Sequence, residues 1–282
     1  MPGSRTHAGE SRSKGIQSVE LGFRVLQALV EASGPQSLKA VAERAGMSPS
    51  KARMYLVSLV RVGLAAQGEE GGSYRLGPYA VRIGSMASQR NDLLASAEQV
   101  MTRMAERTGA LMLLSGWGHG GAMLLRQTEG RHALQIDFRI GSQVSLTRTA
   151  TGHVCLAFLP QHVTAPFEAP ELAENAHDAD LAFINVAYLK EVVAAVQAMG
   201  TATVKNVRIG SGLVLVGYTA VAAPVFDRDG DLRLVMTALL AKRDARLDLA
   251  AARALLRRET LLLSGWDEER MRNRKLVSPI SG

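Results

Sequence analysis

The sequence predicts an α+β protein with two domains, a small helical domain followed by a larger mixed one. Its 282 residues suit two domains at roughly 150 residues each. Apolar residues make up 47% and charged residues 21%, as in ordinary folded proteins. After residue 93, strands and helices alternate without the regular order of a parallel sheet, and short connections at GWGHGG and DRDG suggest antiparallel neighbours. We therefore expect a curved antiparallel sheet in the second domain.

Cysteine content and hydropathy exclude several classes of protein. The single cysteine, Cys155, cannot form an internal disulfide, and a zinc site built on cysteines needs more thiolates than one. Residues 1–15 lack the apolar core of a signal peptide, and the chain has no run of about 18 apolar residues. We expect a cytoplasmic protein with no membrane partner.

The distribution of charge favours a polyanionic partner. Lys and Arg outnumber Asp and Glu by 33 to 26, which gives a formal net charge of +7. Residues 1–82 hold 11 of these basic and 6 of these acidic residues, so a surplus of 5 lies in the first third of the chain. This asymmetry points to nucleic acid. Residues 1–15 are polar without apolar periodicity and predict a disordered arm, either an inert tail or one that contacts DNA.

Three helices are predicted between residues 16 and 63. The first starts near Ser18, ends at Gly34 and carries apolar residues at helical spacing, namely Val19, Phe23, Leu26 and Val30. The second follows Ser37 as an N-cap and stops at Gly46, with an apolar face of Leu38, Val41, Ala42 and Ala45.

The third predicted helix runs from Pro49 to about Val62, with Ser48 as its N-cap and Gly63 as its stop. One stripe of this helix is apolar and should pack inward, comprising Ala52, Tyr55, Leu56, Leu59 and Val60. The outward positions are then Ser50, Arg53, Met54, Val57 and Arg61.

The second and third helices, joined by a three-residue turn, form a predicted helix-turn-helix, in which the latter helix enters the major groove of DNA. LAAQ (64–67), GEEGG (68–72) and SYRL (73–76) read as strand, turn and strand, the wing of a winged helix. We predict that residues 16–78 bind double-stranded DNA, with base-reading or positioning contacts from Ser50, Lys51, Arg53 and Met54. Arg61 and Arg75 are candidates for phosphate contacts. The alternative is a winged helix that binds protein.

The remaining chain divides into a predicted linker helix at 79–92, a mixed domain at 93–265 and a frayed, charged tail at 266–282. Strands are predicted at LMLLSGW, AMLLRQT, HALQIDFR, TATVKNV, YTAVAAPVF and LRLVMTALL. A helix that opens the mixed domain is predicted to run to MAERTG, and further helices are predicted around TATGHVCLAFL, VAYLKEVVAAVQAMG and RLDLAAARALLRRETLLLSG.

Motifs that carry chemistry are missing. GWGHGG matches G-x-G-x-x-G, but a strand follows it where a dinucleotide site needs a helix. The chain has no G-x-S-x-G, and His153 and Cys155 stand two residues apart on a helix, where their side chains diverge. The six histidines include no pair at the spacing of a helical metal site. We predict no catalytic residues, no metal and no cofactor. The alternative function is a small-molecule enzyme built on the second domain.

The start of the helix around TATGHVCLAFL offers a place for an anion. Ala150, Thr151 and Gly152 should present free backbone N–H groups there, so a carboxylate could bind without a dedicated cation. The alternative is that Thr149 merely caps the helix.

Several segments together resemble the IclR family of bacterial transcriptional regulators: SYRLGP, GSQVSLTRTATGHVCLAFL and YTAVAAPVFDRDG. The resemblance runs from about Ile16 to Gly265. It implies an N-terminal winged helix-turn-helix, a linker helix and a GAF-like C-terminal domain with a small organic acid as effector. It also implies a homodimer or dimer of dimers that acts as repressor or activator. SKARMYLVSL is similar to the subgroup of aromatic catabolism, except that Met54 replaces a common arginine.

The predicted pocket departs from the family pattern. Ser145 stands at a usual proline, His153 at a usual lysine and Ala220 at a ligand-contacting cysteine. Thr237 keeps a hydroxyl at the first of two common serine positions and Leu239 replaces the second. These changes predict a more apolar effector, such as an aromatic acid, or none. The resemblance assigns the effector site to Leu146, Thr149, Ala150, Thr151, Gly152, Ala220, Thr237 and Leu239.

Overall fold

The computed structural model describes residues 15–68, 72–89, 92–130, 138–209, 213–241 and 248–273. The chain forms two compact units, Met1–Asn91 and Asp92–Gly282. The predicted arm at 1–15 lies outside the described residues except for Gly15, and the predicted strand HALQIDFR lies outside them except for Phe138 and Arg139. No described helix is both long enough and apolar enough to span a bilayer.

The N-terminal unit consists of helices around a small antiparallel sheet of strand order β1-β3-β2. Its elements are α1 (Gln17–Val30), β1 (Gln36–Ser37), α2 (Leu38–Arg44), α3 (Pro49–Arg61), β2 (Ala65–Gln67), β3 (Ser73–Leu76) and α4 (Pro78–Gln89). The predicted second and third helices and both wing strands are present. Ser37 Oγ accepts a hydrogen bond from Ala40 N and Ser48 Oγ accepts one from Lys51 N, so both predicted N-caps are formed.

Helix α1 buries a face other than the apolar stripe from which the helix was predicted. Val19, Phe23 and Val30 are 66%, 51% and 49% exposed, whereas the buried side chains are Leu21, Val25, Ala28 and Leu29. Both sets recur at helical spacing on opposite sides of the helix, so spacing alone could not choose between them. The second set is buried because it packs into one core with α2, α3 and the sheet, through Val41, Ala45, Leu56, Ala65 and Tyr74.

Among its described residues the C-terminal unit has a five-stranded antiparallel sheet with helices on both faces, which confirms the predicted α+β class. Its strand order is β5-β4-β8-β7-β6. Its elements are α5 (Asp92–Thr108), β4 (Leu111–Gly118), β5 (Gly121–Thr128), α6 (Ala150–Phe158), α7 (Gln161–Ala176), α8 (Val186–Met199), β6 (Ala202–Ile209), β7 (Leu213–Phe226), β8 (Leu232–Ala241), α9 (Leu249–Ser264) and α10 (Glu268–Arg272).

The two faces of this sheet build two separate cores. Alternate strand residues point to opposite faces. One face packs Met112, Leu114, Val221 and Met236 against α5 and α9. The other packs Leu111, Ala220, Ala222 and Leu239 against α6 and α8. The glycine segment GWGHGG is the β4–β5 hairpin turn, with Gly121 at φ 93°, and opens no helix.

Two segments differ from the sequence prediction. The first is α7, for which no element was expected; Pro166 and Pro170 lie inside it and remove backbone donors from its interior. The second is the tail, predicted to fray from residue 266. Trp266 is instead buried, its ring stacks on Phe226 at 4.8 Å, and α10 follows it. Burial of this large aromatic ring offsets the conformational entropy that the charged segment loses when it becomes ordered.

Candidate functional sites

The outward face of α3 is open to solvent. Ser50, Lys51, Arg53 and Met54 are all exposed, Met54 to 72%. The opposite stripe anchors the helix, since Ala52 and Leu56 are fully buried while Tyr55, Leu59 and Val60 are half-buried. The predicted division of α3 into two faces is therefore observed.

The charge on α3 has one sign. The helix sequence PSKARMYLVSLVR contains three cations, including Arg61 in its last turn, and no acidic residue. Its 13 residues span about 20 Å at 1.5 Å per residue. The major groove of DNA, about 12 Å wide, admits an α-helix. Arg75 is also exposed, on β3 opposite Ala66. Residues 69–71, between β2 and β3, lie outside the described residues.

A cavity of about 650 Å³ opens between the sheet and the helices of the C-terminal unit. Its apolar lining includes Leu113, Leu124, Phe138, Val144, Phe167 and Val207. Seven of the eight residues predicted for the effector site line it: Leu146, Thr149, Ala150, Thr151, Ala220, Thr237 and Leu239.

Gly152 is the exception and needs correction. Its N–H donates to Thr149 Oγ1 at 2.9 Å, so the expected capping by Thr149 occurs and this amide is not open to a ligand. A Cβ at position 152 would lie 2.3 Å from the Ser145 carbonyl oxygen, so glycine permits the helix to approach the preceding loop. In the described part of the chain the N–H groups of Ala150 and Thr151 have no hydrogen-bond partner.

The chain places a carboxylate of its own on the loop before α6. Glu171, from α7, accepts hydrogen bonds from Leu146 N at 3.0 Å and Thr147 N at 2.9 Å. It also accepts from Ser145 Oγ at 2.7 Å and Thr147 Oγ1 at 2.8 Å. The carboxylate is thereby held by four donors on three consecutive residues, at the edge of the cavity.

A second set of polar contacts extends this connection along α7. Arg148 Nε donates to Asn175 Oδ1 at 2.6 Å and its Nη2 to Glu174 at 2.9 Å. Asn175 Nδ2 in turn donates to Thr147 Oγ1 at 3.1 Å. The loop 145–148 and the helix α7 are therefore joined mainly by hydrogen bonds.

Two buried hydroxyls line the cavity, and two buried titratable groups lie on α6 and α7. The hydroxyls of Thr151 and Thr237 are 2.8 Å apart and bonded to each other. The ring of His153 is buried, with Nε2 at 2.9 Å from the Thr147 carbonyl oxygen. Burial lowers the pKa of His153, against smaller opposing effects from that hydrogen bond and from the charge of Glu171. Burial, and then the charge of Glu171, raise the pKa of Glu168.

No arrangement of described residues suggests metal or thiol chemistry. Groups of three or more His, Cys, Asp or Glu side chains that could hold a metal do not occur among them. Cys155 is buried, and burial raises its pKa to about 12, so the thiol stays protonated.

Two family models account for most of the chain. The IclR helix-turn-helix domain matches residues 18–69, and the C-terminal domain of bacterial IclR transcriptional regulators matches residues 85–253. The chain belongs to the IclR family. Members of this family are DNA-binding transcriptional regulators, and the relatives of this chain are named as regulators and not as enzymes.

Individual relatives of this IclR-family chain span both units. The regulator BhcR of Paracoccus denitrificans is 26% identical over 226 residues, covering 79% of this chain and 77% of BhcR. The crystal structure of HmgR from Pseudomonas aeruginosa has a TM-score of 0.66 at 28% identity and covers 89% of this chain and 98% of that one. An IclR homologue from Microbacterium hydrocarbonoxydans, solved with 4-hydroxybenzoate, has a TM-score of 0.65 at 18% identity and covers 88% and 98%.

Sequence reasoning missed the α7 wall of the cavity in this IclR-family protein. Five lining residues come from α7: Pro166, Phe167, Pro170, Glu171 and Glu174. Proline disfavours a helix interior, but Pro166 and Pro170 are both exposed on this helix. The buried polar residues Thr164, Glu168 and Asn175 recur at helical spacing, a signal that an apolar periodicity search passes over.

Proposed function

We propose that this IclR-family protein binds a specific operator through α3 and the wing, and that a small carboxylic acid in the C-terminal cavity controls this binding. The observation that carries the DNA-reading part is the outward face of α3. It is exposed, cationic and free of acidic residues, and a serine-capped turn positions it. Arg53 and Lys51 are the base-reading or positioning candidates, with Arg61 and Arg75 toward phosphates.

A symmetric dimer is the assembly that fits this role. Two copies of α3 related by a twofold axis would read a near-palindromic operator with half-sites spaced by whole helical turns of about 10.5 base pairs. Light scattering of the purified chain, alone and on an operator duplex, measures whether it is a dimer or a dimer of dimers.

The DNA-binding role is tested with Arg53→Ala and the matched variant Arg258→Ala, which removes the same charge from the exposed side of α9. We expect Arg53→Ala to weaken operator affinity by about 1–3 kcal/mol and Arg258→Ala to leave it unchanged. Affinity should also fall with salt, because phosphate contacts release counterions. Equal operator affinity of both variants, or retention that salt does not affect, would favour the protein-binding winged helix.

The cavity supports a small, mostly apolar acid. Its volume of about 650 Å³ lies in the usual range of small-molecule pockets, and its predominantly aliphatic and aromatic wall suits an aromatic ring. The N–H groups of Ala150 and Thr151 at the start of α6 suit a carboxylate. The solved homologue with 4-hydroxybenzoate has this fold, and an aromatic acid is the ligand class we propose.

Thermal unfolding with a panel of acids tests the effector. Benzoate and 4-hydroxybenzoate should raise the melting temperature of the wild type, and Ala220→Trp, which fills the cavity, should abolish that rise. Ala254→Trp, at an exposed site on α9, is the matched control and should retain it. A panel of aromatic and short-chain acids that leaves the melting temperature unchanged would contradict an acid effector.

A further inference from the structure

The carboxylate of Glu171 occupies four hydrogen-bond donors in the loop before α6. Two are backbone N–H groups, of Leu146 and Thr147, and two are hydroxyls, of Ser145 and Thr147. Leu146, Ala150, Thr151 and Glu171 all line the same cavity. The loop is therefore built to hold a carboxylate, and the one it holds belongs to the chain itself.

Helix α7 depends on this contact for its position. Its 16 residues bury only Thr164, Glu168 and Asn175, all polar. Phe167 and Leu172 pack half-buried against the core, and no apolar side chain of α7 is fully buried. Because an apolar face normally docks a helix and α7 has little of one, its hydrogen bonds to residues 145–148 supply much of its attachment.

A second carboxylate in this part of the cavity approaches the one already there. An acid bound at the N–H groups of Ala150 and Thr151 enters a cavity lined by Glu171 and Glu174 and also by Arg139 and Arg148, and it repels Glu171 where the two carboxylates approach each other. The donors of the two acids are neighbours within residues 145–151, and a ligand that reaches Leu146 N or Thr147 N takes that donor from Glu171.

We propose that Glu171 is an intramolecular competitor of the effector: an acid that enters the cavity displaces its side chain from Leu146 and Thr147 and releases α7. This inference rests on the proposed acid-binding function and adds its mechanism. The two states of the C-terminal unit are then α7 docked by Glu171 and α7 released by the ligand. A regulatory ligand must interact differently with the two states, and here the difference is the replacement of the Glu171 carboxylate by the carboxylate of the ligand.

Hydrogen–deuterium exchange of the full-length wild type with saturating benzoate tests the displacement without any substitution. Benzoate should accelerate exchange in peptides from residues 161–176 while it slows exchange at the start of α6. Benzamide, which has the same ring without the charge, should not accelerate exchange in α7. Slower exchange in α7 with benzoate would overturn the proposal, because the ligand would then tighten the contact.

Calorimetry of benzoate binding to Glu171→Ala and Glu171→Gln gives a second measurement. Removal of the competitor should strengthen benzoate binding by about tenfold, the equivalent of one charge-assisted hydrogen bond. Glu191→Gln, an exposed acid on α8, controls for net charge and should leave affinity within about twofold. In Glu171→Ala, α7 should exchange rapidly before benzoate is added and no faster afterwards.

The outcomes separate this proposal from the proposed function. Benzoate binding that slows or does not change α7 exchange in the wild type refutes the competitor and leaves the effector class intact. Affinity raised by both Glu171 variants without release of α7 in the wild type reduces Glu171 to a repelling charge and also refutes displacement. Failure of wild type and variants alike to bind any acid refutes both proposals.

Discussion

Replacement of Gly152 by alanine should destabilise the C-terminal unit by about 3 kcal/mol. The added Cβ would lie 2.3 Å from the Ser145 carbonyl oxygen and 2.4 Å from both Leu146 Cα and the Leu146 carbonyl oxygen. These are backbone atoms, so the loop must retreat by about 1 Å to reach an ordinary contact. That shift strains the bonds from Leu146 N and Thr147 N to Glu171. Overpacking of about 1–3 kcal/mol together with weakened charge-assisted bonds gives the estimate.

Urea unfolding followed by tryptophan fluorescence measures this effect, because both tryptophans, Trp117 and Trp266, lie in the C-terminal unit. Gly84→Ala is the matched control: it lies inside α4 with nothing within 4 Å of its added Cβ and should leave this transition unchanged. A Gly152→Ala midpoint equal to the wild-type midpoint would refute the close approach of α6 to the loop.

Two further predictions concern acid sensitivity and the C-terminal segment. Because burial lowers the pKa of His153 in the folded chain, the unfolded chain takes up the proton first, and the free energy of unfolding should fall as the pH drops below 6.5. His153→Leu should reduce this fall, which urea unfolding at pH 7 and pH 5.5 measures. An equal fall in the wild type and the variant would contradict the prediction. Trp266→Ala removes a buried ring stacked on Phe226 and should cost about 3 kcal/mol, where a frayed tail would cost nothing, as urea midpoints will decide.

Local signals in the sequence were sufficient for much of the fold. Ser37 and Ser48 cap their helices through residues three positions ahead, and the strands of the C-terminal sheet follow from apolar runs and glycine turns. Such features depend on neighbours in the chain, so they could be predicted without knowledge of tertiary contacts.

The features that were missed depend on distant contacts. Which face of α1 is buried is decided by packing with α3 and β3, since Val19 and Leu21 each belong to a helical stripe. Glu171 meets Ser145 and Thr147 across 26 and 24 residues, and no spacing rule connects them. Trp266 was assigned to a frayed tail because the residues that follow it are mostly charged. The structure differs because its ring stacks on Phe226, a contact that composition does not reveal.

Tethered cleavage from residue 50 tests whether the outward face of α3 enters the groove of an operator. Ser50→Cys gives a single accessible thiol, because burial of Cys155 raises its pKa to about 12 and protects it from labelling. An iron–EDTA reagent on that thiol should cut the bound duplex at two sites related by the operator's symmetry. Ala254→Cys, on α9, should not produce those cuts. Cleavage absent from the Ser50→Cys complex, or shared with Ala254→Cys, would contradict the account.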